Sequence, residues 1–187
     1  MCDELIAGRR ASGAPGEDLL GRLIAARDGD ERLSDAEVRD QVLIFLLAGH
    51  DTTAIALTFA LYLLARHPAA QARAHAEVEA VLGDRTPGAA DVERLIYTTM
   101  VLKEAMRLYP PAWGIGRRSA TGDEIGGWEI PPGADVLVSP WVTHRHPGFW
   151  EAPERFDPER FTPEREAARH RHCVLPVRRP RSRSRAG

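Results

Sequence analysis

The chain has 187 residues, of which 43% are hydrophobic and 28% charged, an ordinary composition for a globular protein with room for one sizeable core. The net charge of −2 hides an asymmetry, because residues 165–187 hold eight arginines (165, 169, 171, 178, 179, 181, 183 and 185) against one acid, Glu166. Cys2 and Cys173 lie at opposite ends, which excludes a disulfide scaffold or a cysteine metal cluster and points to a reducing compartment. Met1-Cys2-Asp3-Glu4 lacks the basic start and apolar core of a signal peptide, so a cytoplasmic location is expected.

Residues 1–33 mix Gly, Arg, Asp and Ala, with one amphipathic stretch at Asp18–Arg27 whose Leu19, Leu20, Leu23 and Ile24 share a face. Gly29-Asp30 marks a loop. Ser34, followed three residues later by Glu37, has the form of a capping box, in which the two side chains satisfy orphan backbone donors. A long helix should therefore start near Asp35 and end before His67-Pro68, because Pro68 lacks an N–H and suits the first turn of the next helix. That helix, Pro68–Leu82, should close at Gly83. Asp91–Tyr109 holds one or two more helices, with Leu95, Ile96, Val101, Leu102, Met106 and Leu108 as core candidates, and Pro110-Pro111 ends them.

From Trp113 the period changes. Glu124–Ile130 predicts a hairpin about Gly126-Gly127, Pro131-Pro132-Gly133 a turn, and Ala134–Val138 a further strand. Residues 144–165 read as loop with short helical turns. The stretch from Val177, rich in Arg and Ser, should be disordered. Its charge would support only weak, salt-dependent contact with anionic surfaces, so no nucleic-acid partner is expected.

The longest apolar run, Val42–Leu64, is interrupted once, at Gly49-His50-Asp51-Thr52-Thr53. A helix apolar nearly all round belongs in a core or a membrane. As a membrane span it would hold Asp51 near the midplane, at a cost of about 2.5–3.5 kcal/mol, so no transmembrane segment is expected. In a core, such a polar notch costs free energy unless something uses it. Thr52 can bond the backbone of the preceding turn, and Gly49 permits close approach to the backbone. His50 lies about 100° round the helix from Asp51, so the two are not a shared metal site.

Glu104 and Arg107, three apart on a helix, can pair. Their apolar neighbours Val101, Leu102 and Leu108 suggest burial, and a buried arginine invites a further partner. A candidate lies in the tandem Pro-Glu-Arg-Phe at 153–156 and 158–161.

Taken together, Ala48-Gly49-His50-Asp51-Thr52-Thr53, Glu104-Ala-Met-Arg107 before Leu-Tyr-Pro-Pro, and Trp150 followed by Phe156-Asp-Pro-Glu-Arg-Phe161 resemble the C-terminal part of the cytochrome P-450 family of haem-thiolate monooxygenases. The resemblance implies a mainly α fold with a small β region: a partial monooxygenase domain over 1–176 and an Arg-rich tail over 177–187. It implies haem b as cofactor, a small organic substrate, and a ferredoxin, flavodoxin or reductase as electron donor. Asp51 and Thr52 match the family's catalytic acid-alcohol pair, Ala48 and Gly49 the groove over the haem, and Arg117 a propionate partner. Glu104, Arg107 and Arg160 match its structural triad.

The pattern then breaks. The family's ligand cysteine sits in a Gly-rich loop just after the matched region, and its thiolate favours O–O cleavage. After Leu175-Pro176 this sequence continues Val177-Arg178-Arg179-Pro180, with no cysteine and no Gly-rich turn. Cys173 precedes that loop and does not match the ligand. The resemblance thus implies a fragment, inactive as written and without stably bound haem, whose tail has the composition of a shifted reading frame.

Overall fold

A computed structural model describes residues 2–13, 16–28, 31–170 and 172–174. The fold is mainly α with small antiparallel sheets, and it divides into two compact units, Met1–Thr53 and Ala54–Gly187. The predicted loop at Gly29-Asp30 and the predicted disordered tail lie outside the described residues.

In the first unit, α1 (Cys2–Ala11) and α2 (Leu19–Ala25) precede a pair of two-residue strands, β1 (Arg27–Asp28) and β2 (Glu31–Arg32). Asp18 organises this region. One of its carboxylate oxygens caps α2 by accepting from the Gly21 N–H at 2.8 Å, and both oxygens accept from Arg9, at 2.9 and 2.7 Å. Among the described residues, Ile6 and Val38 are the buried large apolar side chains of this unit. Helix α3 (Asp35–Arg66) begins where the capping box requires: Ser34 N–H donates to Glu37 at 2.8 Å, and Glu37 N–H to Ser34 Oγ at 3.3 Å.

The expectation that the middle of α3 is buried is corrected. Leu43, Ile44, Phe45, Leu46 and Leu47 are exposed, Leu47 at 66%, and none of the helix's most apolar 18-residue window is buried. Helix propensity and the cap are local and set the helix's bounds, whereas burial needs a partner, and no described residue covers this face.

The second unit is built round α5 (Ile96–Leu108). Its buried residues are Tyr97, Met100, Val101, Glu104, Ala105, Arg107 and Leu108, a helical spacing. Of the predicted core residues, Val101 and Leu108 are buried, Leu102 packs against the core, Leu95 is half-buried outside it, and Ile96 and Met106 face outward. Against this face pack Ala60 and Leu63 from the end of α3, Ala74 of α4 (Pro68–Leu82), and Trp150, Phe156, Phe161 and Cys173. Glu77 on α4 fixes the start of α5, accepting from Tyr97 N–H at 2.7 Å and from Thr98 N–H at 2.8 Å.

Beyond α5, β3 (Ile115–Arg118) pairs antiparallel with β6 (Asp135–Val138), and β4 (Asp123–Ile125) with β5 (Trp128–Ile130). The β4–β5 turn puts Gly126 and Gly127 at φ of 61° and 84°, where L side chains are strained. Short helices α6 (Pro140–Thr143) and α7 (Pro163–Ala168) flank a meander that contains a single 3₁₀ turn at Pro158–Phe161.

Candidate functional sites on α3 and α5

Glu104 and Arg107 are both 0% exposed. Arg107 donates from Nε to Glu104 Oε2 at 2.7 Å and from Nη2 to Oε1 at 2.8 Å, a bidentate pair. Its remaining donors reach backbone carbonyls: Nη1 to His144 at 2.8 Å and Pro153 at 2.7 Å, and Nη2 to Arg155 at 3.3 Å. All the donors a guanidinium offers are thereby used, which is the condition for burying it. Glu104 Oε1 also accepts the Asp157 N–H at 3.0 Å.

Arg160, the arginine of the second Pro-Glu-Arg-Phe, stands with Nε 3.5 Å from Glu104 Oε1 and donates from Nη2 to the Ala152 carbonyl at 3.0 Å. Burial lowers its pKa, which Glu104 opposes. The first copy behaves differently. Arg155 has an exposed side chain that, among the described residues, pairs with Asp157, and it serves the cluster through its carbonyl. The structure thus brings Glu104, Arg107 and Arg160 together in a closed, solvent-free cluster. Closure, and the full set of hydrogen bonds that Arg107 makes, suit it to hold the meander on α5 rather than to meet a ligand, while Arg160 Nε meets Glu104 as an ion pair without a hydrogen bond among the described residues.

Residues to which the sequence assigned no role in this cluster also contribute. His144 is buried, supplies its carbonyl to Arg107, and burial pushes its imidazole pKa down to about 4. Trp150 lies 4.8 Å below the Arg107 guanidinium. Backbone carbonyl acceptors carry no residue signature, so no sequence motif could have announced them.

The α3 residues are arranged otherwise. Ala48, Gly49, His50, Asp51 and Thr52 are all exposed. Thr52 Oγ1 donates to the Ala48 carbonyl at 2.6 Å, the back-bond expected of a helical threonine. A Cβ at Gly49 would meet no atom within 4 Å outside the helix's own backbone and its chain neighbours, so the space beside it is open. Asp51 forms no ion pair among the described residues. Arg117, on β3, is exposed and donates from Nη1 to the Gly116 carbonyl at 2.8 Å, while adjacent Arg118 holds Asp135 through two bonds of 2.9 and 3.0 Å. Arg117 is therefore the arginine of that pair without a carboxylate partner among the described residues. Asp51 and Thr52 lie in the first unit, Arg117 and the triad in the second. Among the described residues, no group of three or more His, Cys, Asp or Glu could hold a metal ion.

Comparison with known proteins bears on the family and the fold. The family described as Cytochrome P450 matches residues 2–176. Cyclooctatin synthase of Streptomyces melanosporofaciens is 48% identical over 161 residues, covering 85% of this chain and 35% of that protein. Cyclooctat-9-en-7-ol 5-monooxygenase of the same organism is 43% identical, covering 94% of this chain and 39% of its own length. Pentalenene oxygenase of Streptomyces avermitilis is 38% identical, over 88% of this chain and 37% of its own length. Among solved structures, a mutant cytochrome P450DA heme domain superposes with a TM-score of 0.84 at 40% identity, covering 91% of this chain and 38% of that one. Retinoic acid bound cyanobacterial CYP120A1 gives 0.80 at 35% identity, over 87% of this chain and 38% of that one. The chain spans a little over a third of the length of these relatives, and it belongs to the cytochrome P450 family.

Proposed function

We propose that this chain is the C-terminal oxygen-side segment of a haem-dependent monooxygenase, which inserts one atom of O2 into an apolar organic substrate with electrons from a ferredoxin, flavodoxin or reductase. The observation that carries the reading is the acid-alcohol pair Asp51-Thr52 beside an open Gly49 on α3, in a chain of this family. The named substrates of two relatives, cyclooctat-9-en-7-ol and pentalenene, support an alkene-containing, largely hydrocarbon substrate. In this reading α3 is the wall of an oxygen site rather than a membrane span, and the protein is cytoplasmic.

The residues of this chain do not fit a complete haem-thiolate site. Its two cysteines are Cys2, on α1, and Cys173, which is 1% exposed. The Cys173 Sγ–H donates to the His170 carbonyl at 2.8 Å, and burial raises its thiol pKa, both of which oppose a ligating thiolate. A second reading follows: the polypeptide by itself is an inactive partial domain without stably bound haem. The test is the absorption spectrum of the purified 187-residue chain after adding haemin, reducing and exposing it to carbon monoxide. We expect no thiolate-type Soret band. Its appearance would overturn the inactive reading and assign catalytic competence to this chain.

A further inference from the structure

Arg169 follows α7 in the Arg-rich end of the sequence, where a charged side chain is ordinarily solvated. It is instead half-buried. Its guanidinium carbon lies 4.2 Å from the centre of the Trp150 ring and 5.2 Å from that of Phe161, and Nη2 donates to the Arg160 carbonyl at 2.5 Å. Trp150 therefore carries two guanidiniums, Arg169 and Arg107. Desolvation lowers the Arg169 pKa, as expected for a cation drawn onto aromatic faces.

Four residues further on, Cys173 enters the same apolar cluster as Trp150 and Phe161, with Val174 packed beside it. The polar contacts between are local: the Cys173 N–H and Sγ both reach the His170 carbonyl, and the His172 N–H reaches His170 Nδ1. His170 adds one distant ring contact, 6.5 Å from Phe149. Among the described residues, Arg169 is thus the polar anchor between this stretch and the rest of the unit.

We propose that Arg169 is a positioning residue: stacked on Trp150 and bonded to the Arg160 carbonyl, it latches His170 and His172–Val174 onto the Glu104–Arg107–Arg160 cluster and keeps Cys173 from solvent. The latch stands on the geometry of the second unit and does not depend on the monooxygenase reading.

The test is iodoacetamide labelling of the full chain, resolved by peptide mass spectrometry, with Cys2 of the other unit as internal reference. R169M should label Cys173 roughly tenfold faster or more, the scale of a desolvated cation–π contact. Cys2 labelling and the far-UV circular dichroism should not change. R169K keeps the charge but loses the flat guanidinium, so it should behave like R169M. Labelling of Cys173 at the wild-type rate in R169M overturns the proposal, as does full restoration by R169K. Equal acceleration in K103M also overturns it, because the Lys103–Glu166 ion pair tethers α7 without stacking on Trp150. If R169M does not fold, R169K is judged by the same rates.

Discussion

Two helices of this chain each carry an acid among apolar residues, and the two acids have opposite fates. Glu104 on α5 is sealed from water, and its oxygens accept from Arg107 and the Asp157 N–H. Asp51 on α3 stands open beside exposed Leu46 and Leu47. Helical context does not separate them, since both sit in well-formed turns. What separates them is whether this chain brings a second layer to that face. Where it does, the acid becomes a structural fastening. Where it does not, acid and apolar residues together form a surface suited to contacts from elsewhere.

The sharpest way to break this contrast is R107L. It leaves buried Glu104 without its bidentate partner, with only Arg160 as a more distant cation, and three carbonyls without the donors of Arg107, and should destabilise the second unit by about 3–5 kcal/mol. An unchanged urea midpoint would show that the cluster holds nothing.

A pH titration probes the same region more gently. Folding depresses the His144 pKa to about 4, so between the ordinary histidine value, ~6.5, and that limit the unfolded chain binds the extra proton. Stability from this group is therefore full above pH ~6.5 and falls as the pH drops toward 4, at no more than about 1.4 kcal/mol per pH unit. The melting temperature of H144Q should be less steep over that window than that of the wild type. Parallel profiles would assign the slope to other groups.

Ala152, whose carbonyl accepts from Arg160, adopts φ of 43°, a left-handed conformation costly for a residue with a Cβ. A152G should raise the unfolding free energy by about 0.5–1 kcal/mol, measured by chemical denaturation. A loss of stability would mean that the methyl group contributes packing that outweighs the backbone strain.

The smallest effect belongs to α3. Leu47→Gln should change the stability of this chain by no more than about 0.5 kcal/mol, because the side chain is already exposed. A cost of several kcal/mol on thermal unfolding would show that the face is covered after all.

The parts legible from sequence were those with local causes. Ser34 and Glu37 set the start of α3, Pro68 and Gly83 bound α4, and Gly126-Gly127 fixed the β4–β5 turn. Helix α1 was missed because Gly8-Arg9-Arg10 in Cys2–Ala11 obscures an apolar stripe that Ile6 alone anchors in the core. Strand β3 was missed because Ile115-Gly116-Arg117-Arg118 does not alternate, and its pairing with β6 supplies what the pattern lacks. On α5, Ile96 and Met106 looked like core while Tyr97, Met100 and Ala105 form it, since the buried face runs through the charged Glu104. The Glu104–Arg107 pair was legible as a spacing. Its closure was not, because the acceptors are carbonyls of residues 144, 153 and 155, chosen by the path of the meander.

That path contains a near-degeneracy. Pro-Glu-Arg-Phe occurs twice with a period of five, and both phenylalanines are buried. A slip of five residues during folding would exchange Arg155 for Arg160 and Phe156 for Phe161 with no change of residue type at four positions. The competing register differs where the copies end, at Asp157 and Thr162. In the native register Asp157 gives its N–H to Glu104 and caps the 3₁₀ turn through Glu159, while Thr162 caps α7 through Arg165. Those two short polar residues, rather than the repeated motif, hold the information that tells the chain which copy to dock.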